Sequence, residues 1–246
     1  MPALNTNSID AVKVGSTNID AIYKAGVKIW PAQVPGLLAE YRFASGNEWG
    51  DTSGNERTAT TAHSPVTGTS AARSTSTGSE AWHQLSPYTE MGEFTAEAWI
   101  TPGQPTTTPI ESGYLIYFIG QNEGVGLHYS GNVLWCRAAE ADATHQDSGN
   151  VSIPVGTDGE SSGIHFDYNK WVHVAFTVKA DAVNLWVAGQ FSQTLTRTKS
   201  TPMNIRILQL FRSLNGPGTF TVAGCRFWDS EKYTATFTPD TGLLNP

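Results

Sequence analysis

The sequence predicts an all-β fold, two antiparallel sheets stacked as a β-sandwich behind a small N-terminal β-hairpin ribbon. Three observations carry this. Charged residues are only 15% of the 246, while Gly numbers 24 and Pro 13, a balance that favours short strands and turns over amphipathic helices. Apolar residues recur with period two. Phe94, Ala96, Ala98 and Ile100 alternate with Thr95, Glu97, Trp99 and Thr101, and Val172, Val174, Phe176 and Val178 with Trp171, His173, Ala175 and Thr177. Such alternation places one face in an inter-sheet core and the other toward solvent or ligand. No segment carries a convincing helical period.

The chain opens on an internal repeat. Ile9 to Thr17 (Ile-Asp-Ala-Val-Lys-Val-Gly-Ser-Thr) is echoed by Ile19 to Val27 (Ile-Asp-Ala-Ile-Tyr-Lys-Ala-Gly-Val), and Lys28, Ile29 and Trp30 follow. Gly15 and Gly26 mark turns, so residues 1–30 read as short strands in tight hairpins. A ribbon this small buries too little to stand alone and needs another surface to pack on. Residues 31–36, with Pro31 and Pro35, read as a stiff linker. The remainder, 37–246, is one domain. Its expected strands are Leu37 to Phe43, Glu80 to Leu85, Phe94 to Thr101, Tyr114 to Ile119 and Val125 to Tyr129. Val133 to Arg137, Trp171 to Lys179, Val183 to Ala188, Ile205 to Phe211 and Phe220 to Trp228 complete the set. Between them, Ser64 to Ser79, Pro102 to Ser112 and Ala138 to Asn150 read as long polar loops that frame a binding face.

Several function classes are excluded or disfavoured by composition. The net charge is −7 with no run of Lys or Arg, so nucleic acid is not an expected partner. No apolar stretch approaches the ~20 residues of a membrane-spanning helix. The start, Met1-Pro2-Ala3-Leu4-Asn5, has neither a charged nor an apolar signal region, so no Sec-type signal is expected. Cys136 and Cys225 are far apart and read as two buried thiols in strands, a single long-range disulfide being the alternative.

Four motifs resemble one family. Gly36-Leu37-Leu38-Ala39-Glu40-Tyr41-Arg42-Phe43 with Asp51-Thr52-Ser53-Gly54-Asn55 is similar to the opening of LamG-like (concanavalin A-like lectin/glucanase) domains. Phe94 to Ile100 resembles their central strand. Trp171 to Val178, followed by Leu185-Trp186-Val187-Ala188-Gly189, resembles their strand-and-hairpin signature, with Ala-Gly where the family has Asp-Gly. The resemblance implies a jelly-roll sandwich. The N-terminal repeat resembles a second pattern, the Val-x-Val-Gly and Val-x-Ile-Trp repeats of tailed-phage minor tail proteins. That implies a virion component, made in the host cytoplasm and released by lysis, with the ribbon docked on other virion proteins and the sandwich displayed outward in several copies.

Catalytic signatures are missing from the sequence. Glycosidases of this superfamily carry Glu-x-Asp-x-x-Glu on a central strand, and no such string occurs. Glu93 and Glu97 share a parity, but four residues of strand set them ~13 Å apart, beyond the ~5 Å of a retaining pair and the ~6.5–9.5 Å of an inverting one. There is no nucleophile elbow, phosphate-cradling glycine loop or paired Cys-x-x-Cys, and the six histidines show no ligand spacing. Asp51 and Asn55 are the candidate Ca²⁺ ligands, because oxygen-rich loops suit that ion; the alternative is a turn in which both bond the backbone. Glu140, Asp142 and Asp147 read as a solvated acidic tip.

Sugar-binding sites combine exposed aromatic rings with hydrogen-bonding groups. Trp82, His83, Tyr129, Trp135 and Arg137 meet that description and are the candidate carbohydrate-binding residues, while Trp99 and Trp171 are expected to pack. The expected function is therefore non-enzymatic: a phage tail protein that binds carbohydrate on the host cell surface. A purely structural tail or capsid decoration protein and, less favoured, a polysaccharide-cleaving enzyme are the alternatives.

Overall fold

The computed structural model describes residues 12–14, 17–19, 22–24, 27–30, 34–43, 49–62, 66–67, 72–73, 78–103, 112–120, 123–130, 133–140, 147–154, 167–197, 202–215 and 220–244. Two hairpins come first: β1 (Val12–Val14) pairs β2 (Thr17–Ile19), and β3 (Ile22–Lys24) pairs β4 (Val27–Trp30). Then follow β5 (Leu37–Arg42), β6 (Thr60–Ala62), β7 (Val66–Thr67), β8 (Ala72–Arg73), β9 (Glu80–Met91) and β10 (Phe94–Pro102). Next come β11 (Ser112–Gly120), β12 (Glu123–Ser130), β13 (Val133–Glu140), β14 (Asp147–Pro154) and β15 (Val172–Val178). The last four strands are β16 (Ala182–Val187), β17 (Gln190–Thr196), β18 (Met203–Asn215) and β19 (Phe220–Trp228). Among the described residues the only helical element is a 3-10 turn at Thr241–Leu243.

Two large antiparallel sheets make the sandwich. The eight-stranded one runs β17-β16-β15-β10-β19-β8-β7, with β5 also on β19. The seven-stranded one runs β14-β13-β12-β11-β18-β9-β6. Period-two patterning decides which side of each strand is inside: Phe94, Ala96, Ala98 and Ile100 of β10 are fully buried, as are Val174, Phe176 and Val178 of β15. The sheets meet through rings. Phe118 of β11 lies 4.4 Å from Phe94, 6.0 Å from Phe176 and 5.2 Å from Phe227, three residues of the facing sheet. Aromatic pairs at these separations add to the burial of their area.

Some boundaries differ from the sequence expectation: β5 and β15 are a residue or two shorter, while other differences add strand. β17, β14 and the short β6, β7 and β8 fall in segments read as polar connections, and β9 and β18 run well past their apolar runs. A backbone ladder at a sheet margin needs no apolar side chains, so period-two hydrophobicity does not reveal it. Residues 141–146 of the acidic tip lie outside the described residues, Asp142 among them. Glu140 and Asp147 fall in β13 and β14 rather than in one loop. Cys136 and Cys225 are both buried free thiols, and burial pushes Cys136 up to about 12.

Candidate functional site

Each sheet has an outer face, and the two are built differently. On the eight-stranded sheet, cross-strand register lines up Glu97 of β10, Arg226 of β19 and Glu40 of β5 in one row. Arg226 Nε donates to Glu40 at 2.5 Å, and its Nη1 lies 3.8 Å from Glu97. Glu97 also accepts from His173 Nε2 at 2.8 Å, from Trp228 Nε1 at 3.0 Å and from the Tyr233 hydroxyl. The acidic pair that no single strand carries is thus assembled across three strands, with an arginine between its members.

A C-terminal strap, residues 229–244, closes over this row. Asp240 accepts from Arg226 Nη1 at 2.7 Å, and its carbonyl from Trp99 Nε1 at 2.8 Å. Lys232 N donates to Thr95 Oγ1 at 3.0 Å. Tyr233 and Phe237 stack at 3.6 Å, and Phe237 faces Trp186 and His173. The β16–β17 turn sits against the strap: Ala188 and Gly189 both have positive φ, as a primed hairpin turn requires, and a Cβ on Gly189 would overlap the Phe237 carbonyl. Burial pushes the Glu97 carboxyl up, yet His173, Tyr233 and Arg226 together hold it below its ordinary value. Burial likewise raises Glu40, but Arg226 and Arg42 act against it and leave that carboxyl lowered as well. A general acid needs a raised pKa, so neither carboxyl is tuned for that task. Glu97 and His173 are each 1% exposed, which makes the row a structural lock.

The seven-stranded sheet presents a different surface. Register aligns two adjacent rows that cross β9, β18, β11, β12 and β13. One row is Trp82, Gln209, Tyr117, Gly126 and Arg137; the other is Glu80, Arg212, Tyr114, His128 and Trp135. Their neighbours Ala81, Leu208, Leu134 and Cys136 are buried in the core, so the rows lie on the outer side of the sheet, where Tyr117 and Gln209 are themselves covered, 7% and 4% exposed. Glu80 joins the rows, accepting from Gln209 Nε2 at 3.4 Å and lying 3.4 Å from Arg212 Nε. Tyr114 contacts Tyr117 at 4.6 Å and His128 at 5.3 Å between ring centroids. Glycine at 124 and 126 is a requirement of this floor: a Cβ at either position would overlap the Tyr117 ring, so only bare backbone lets that ring lie across β12.

The predicted site residues separate on folding. Trp82, Trp135 and Arg137 arrive on this one face, the tryptophans half-buried at opposite flanks. His83 points the other way from Trp82, and its Nδ1–H donates to the Thr58 carbonyl at 2.9 Å. Tyr129 is corrected outright. It lies in the core, 2% exposed and 5.1 Å from Phe220, where its ring offers no face to a ligand. Trp171, expected to pack, is 39% exposed.

The Ca²⁺ pair also resolves differently. Asp51 Oδ1 accepts from the Glu40 and Ser53 amides, and Oδ2 from Ser53 Oγ and the Arg57 amide. Asn55 Nδ2 donates to the Leu37 and Leu38 carbonyls. Four hydrogen bonds saturate a carboxylate's acceptor sites, so this turn, which ties residues 51–57 to β5, does not fit a calcium ion. Among the described residues no group of three or more His, Cys, Asp or Glu side chains is placed to hold a metal.

Residues 74–231 match the family described as the concanavalin A-like lectin/glucanases superfamily. The chain belongs to that superfamily. Among solved structures it is similar to the receptor binding domain of botulinum neurotoxin D (TM-score 0.63, 15% identity, covering 80% of this chain and 50% of that one). It is also similar to the binding domain of botulinum neurotoxin serotype G (0.62, 12%, 80% and 48%) and to the serotype D ligand binding domain in complex with N-acetylneuraminic acid (0.61, 15%, 80% and 48%). The chain spans about half the length of those chains, and the likeness establishes a shared fold. No curated protein matches.

Tyr114, Tyr117, His128, Gln209, Arg212 and Glu80 escaped the sequence reading. Parity could not have found them all: Tyr114 and Tyr117, like Gln209 and Arg212, are three residues apart and share a face only because a bulge between them shifts the phase of the strand.

Proposed function

We propose that this protein is a carbohydrate-binding module, and that glycan binds on the outer face of the seven-stranded sheet. The observation that carries the reading is the pair of cross-strand rows, which set the half-buried rings of Trp82, Tyr114 and Trp135 among guanidinium, imidazole and carboxylate groups. Aromatic faces take the apolar side of a sugar ring and the polar groups take its hydroxyls, the usual composition of a small-molecule site. The solved neighbours, one of them described as complexed with N-acetylneuraminic acid, are consistent with this choice of ligand class. A binding role over a catalytic one is supported by the lowered, arginine-paired carboxyls on the opposite sheet.

The finer assignment rests on the N-terminal repeat. Its hairpins dock the protein on other virion proteins of a tailed phage, and the sandwich is displayed for host attachment. The test has two arms. A glycan array or host-envelope pull-down should retain the wild type, and Trp82→Ala and Trp135→Ala should lose retention while still folded. Unchanged retention would reject this face. Particles assembled with a chain lacking residues 1–30 should contain none of it, and normal incorporation would reject the docking role.

A further inference from the structure

The two rows are much wider than one sugar, and this bears on what kind of glycan they take. Trp82 stands on β9 and Trp135 on β13, four inter-strand steps apart, which is roughly 19 Å across the sheet. They also sit in adjacent rows, about 7 Å apart along the strands, so the diagonal between them is about 20 Å. Ring stacking operates only within ~4.5–7 Å between centroids. No single ring can use both tryptophans.

Between them stands the half-buried ring of Tyr114, backed by the buried Tyr117. Tyr117 lies over the Gly124 and Gly126 backbone, and Tyr114 bridges it to His128. Accessible polar groups follow the same line, with Arg212 on the Trp82 side and Arg137 and His128 on the Trp135 side. Resting on the reading of this face as a glycan site, we infer that its ligand is a linear oligosaccharide several rings long. The chain runs diagonally across β9 to β13, gripped along its length by a tryptophan at each end. The module thus recognises the interior of a polymer and not a terminal sugar.

The test is affinity against length. Arrays of linear β-linked glucose, N-acetylglucosamine, galactose and uronic acid oligomers, from single sugars to octamers, are probed with the full chain. Affinity should climb with length and level off once an oligomer reaches from one tryptophan to the other. Trp82→Ala and Trp135→Ala should each weaken the longest ligands about tenfold, the factor equivalent to about 1.4 kcal/mol, and should move the plateau to shorter oligomers. Trp82→Phe and Trp135→Phe, which keep a ring, should retain most of the affinity and guard against misfolding as the cause. Binding that is independent of length, or sensitive to only one tryptophan, would overturn the extended mode and leave the face as a glycan site. No binding at any length by the folded wild type would instead remove the reading on which the inference stands, and the inference with it.

Discussion

Replacing Arg226 with Met is the sharpest way to separate the two outer faces. The guanidinium sits between two buried carboxylates, Glu40 and Glu97, and reaches Asp240 of the strap. Removing it leaves two like charges in a water-poor row, and breaking a buried ion pair from one side costs about 3–5 kcal/mol. With an unfolding entropy near 2.1 cal/mol/K per residue, the 246-residue chain has a ΔS of about 0.5 kcal/mol/K, so the melting temperature should drop by roughly 6–10 °C. Calorimetry or thermal circular dichroism reads the shift, and a glycan pull-down below the lowered midpoint reads function. Stability should be lost and binding retained, because the substitution lies on the sheet opposite Trp82 and Trp135. A variant that melts like the wild type yet no longer binds glycan would refute it and move the ligand to the strap side.

Four further outcomes are expected from this row, from the Tyr117 floor and from the Asp51 turn. Glu40 and Glu97 have lowered folded-state pKa values, so their contribution is fully present above the unfolded carboxyl value of about 4.3 and is lost as pH falls through the folded values. Melting temperature should therefore decline as pH is lowered below that point, and a flat acid profile would contradict the lock. Gly126→Ala places a Cβ against the Ile116 carbonyl and the Tyr117 ring, and overpacking of this kind costs about 1–3 kcal/mol. Both stability and glycan affinity should fall, measured by denaturant titration and pull-down. Asp51→Ala removes four acceptor contacts from the turn on β5 and should destabilise by about 1–3 kcal/mol. A chelator should leave the wild-type melting curve unchanged, and a calcium-dependent shift would show that the turn opens to take the ion.

The fold was legible because its code is local. Period-two apolar runs specified β10 and β15, and the glycine of the Ala188-Gly189 turn marked the end of β16. The polar strands β14 and β17 left no such mark, since a marginal ladder is held by backbone groups that every residue has. Of the site, Trp82, Trp135 and Arg137 were chosen on residue type alone. That same criterion also admitted Tyr129, because an aromatic beside polar residues looks alike whether its phase is inward or outward.

By itself the sequence determined the class of fold, the superfamily and the residue types able to meet a sugar. Only the tertiary structure decided which of those residues share a surface. Register across five strands brought Trp82 and Trp135 to one face, and register across three more placed Arg226 between Glu40 and Glu97. Register depends on pairings between strands far apart in the chain, and a one-residue slip would send every one of these side chains to the other side of its sheet.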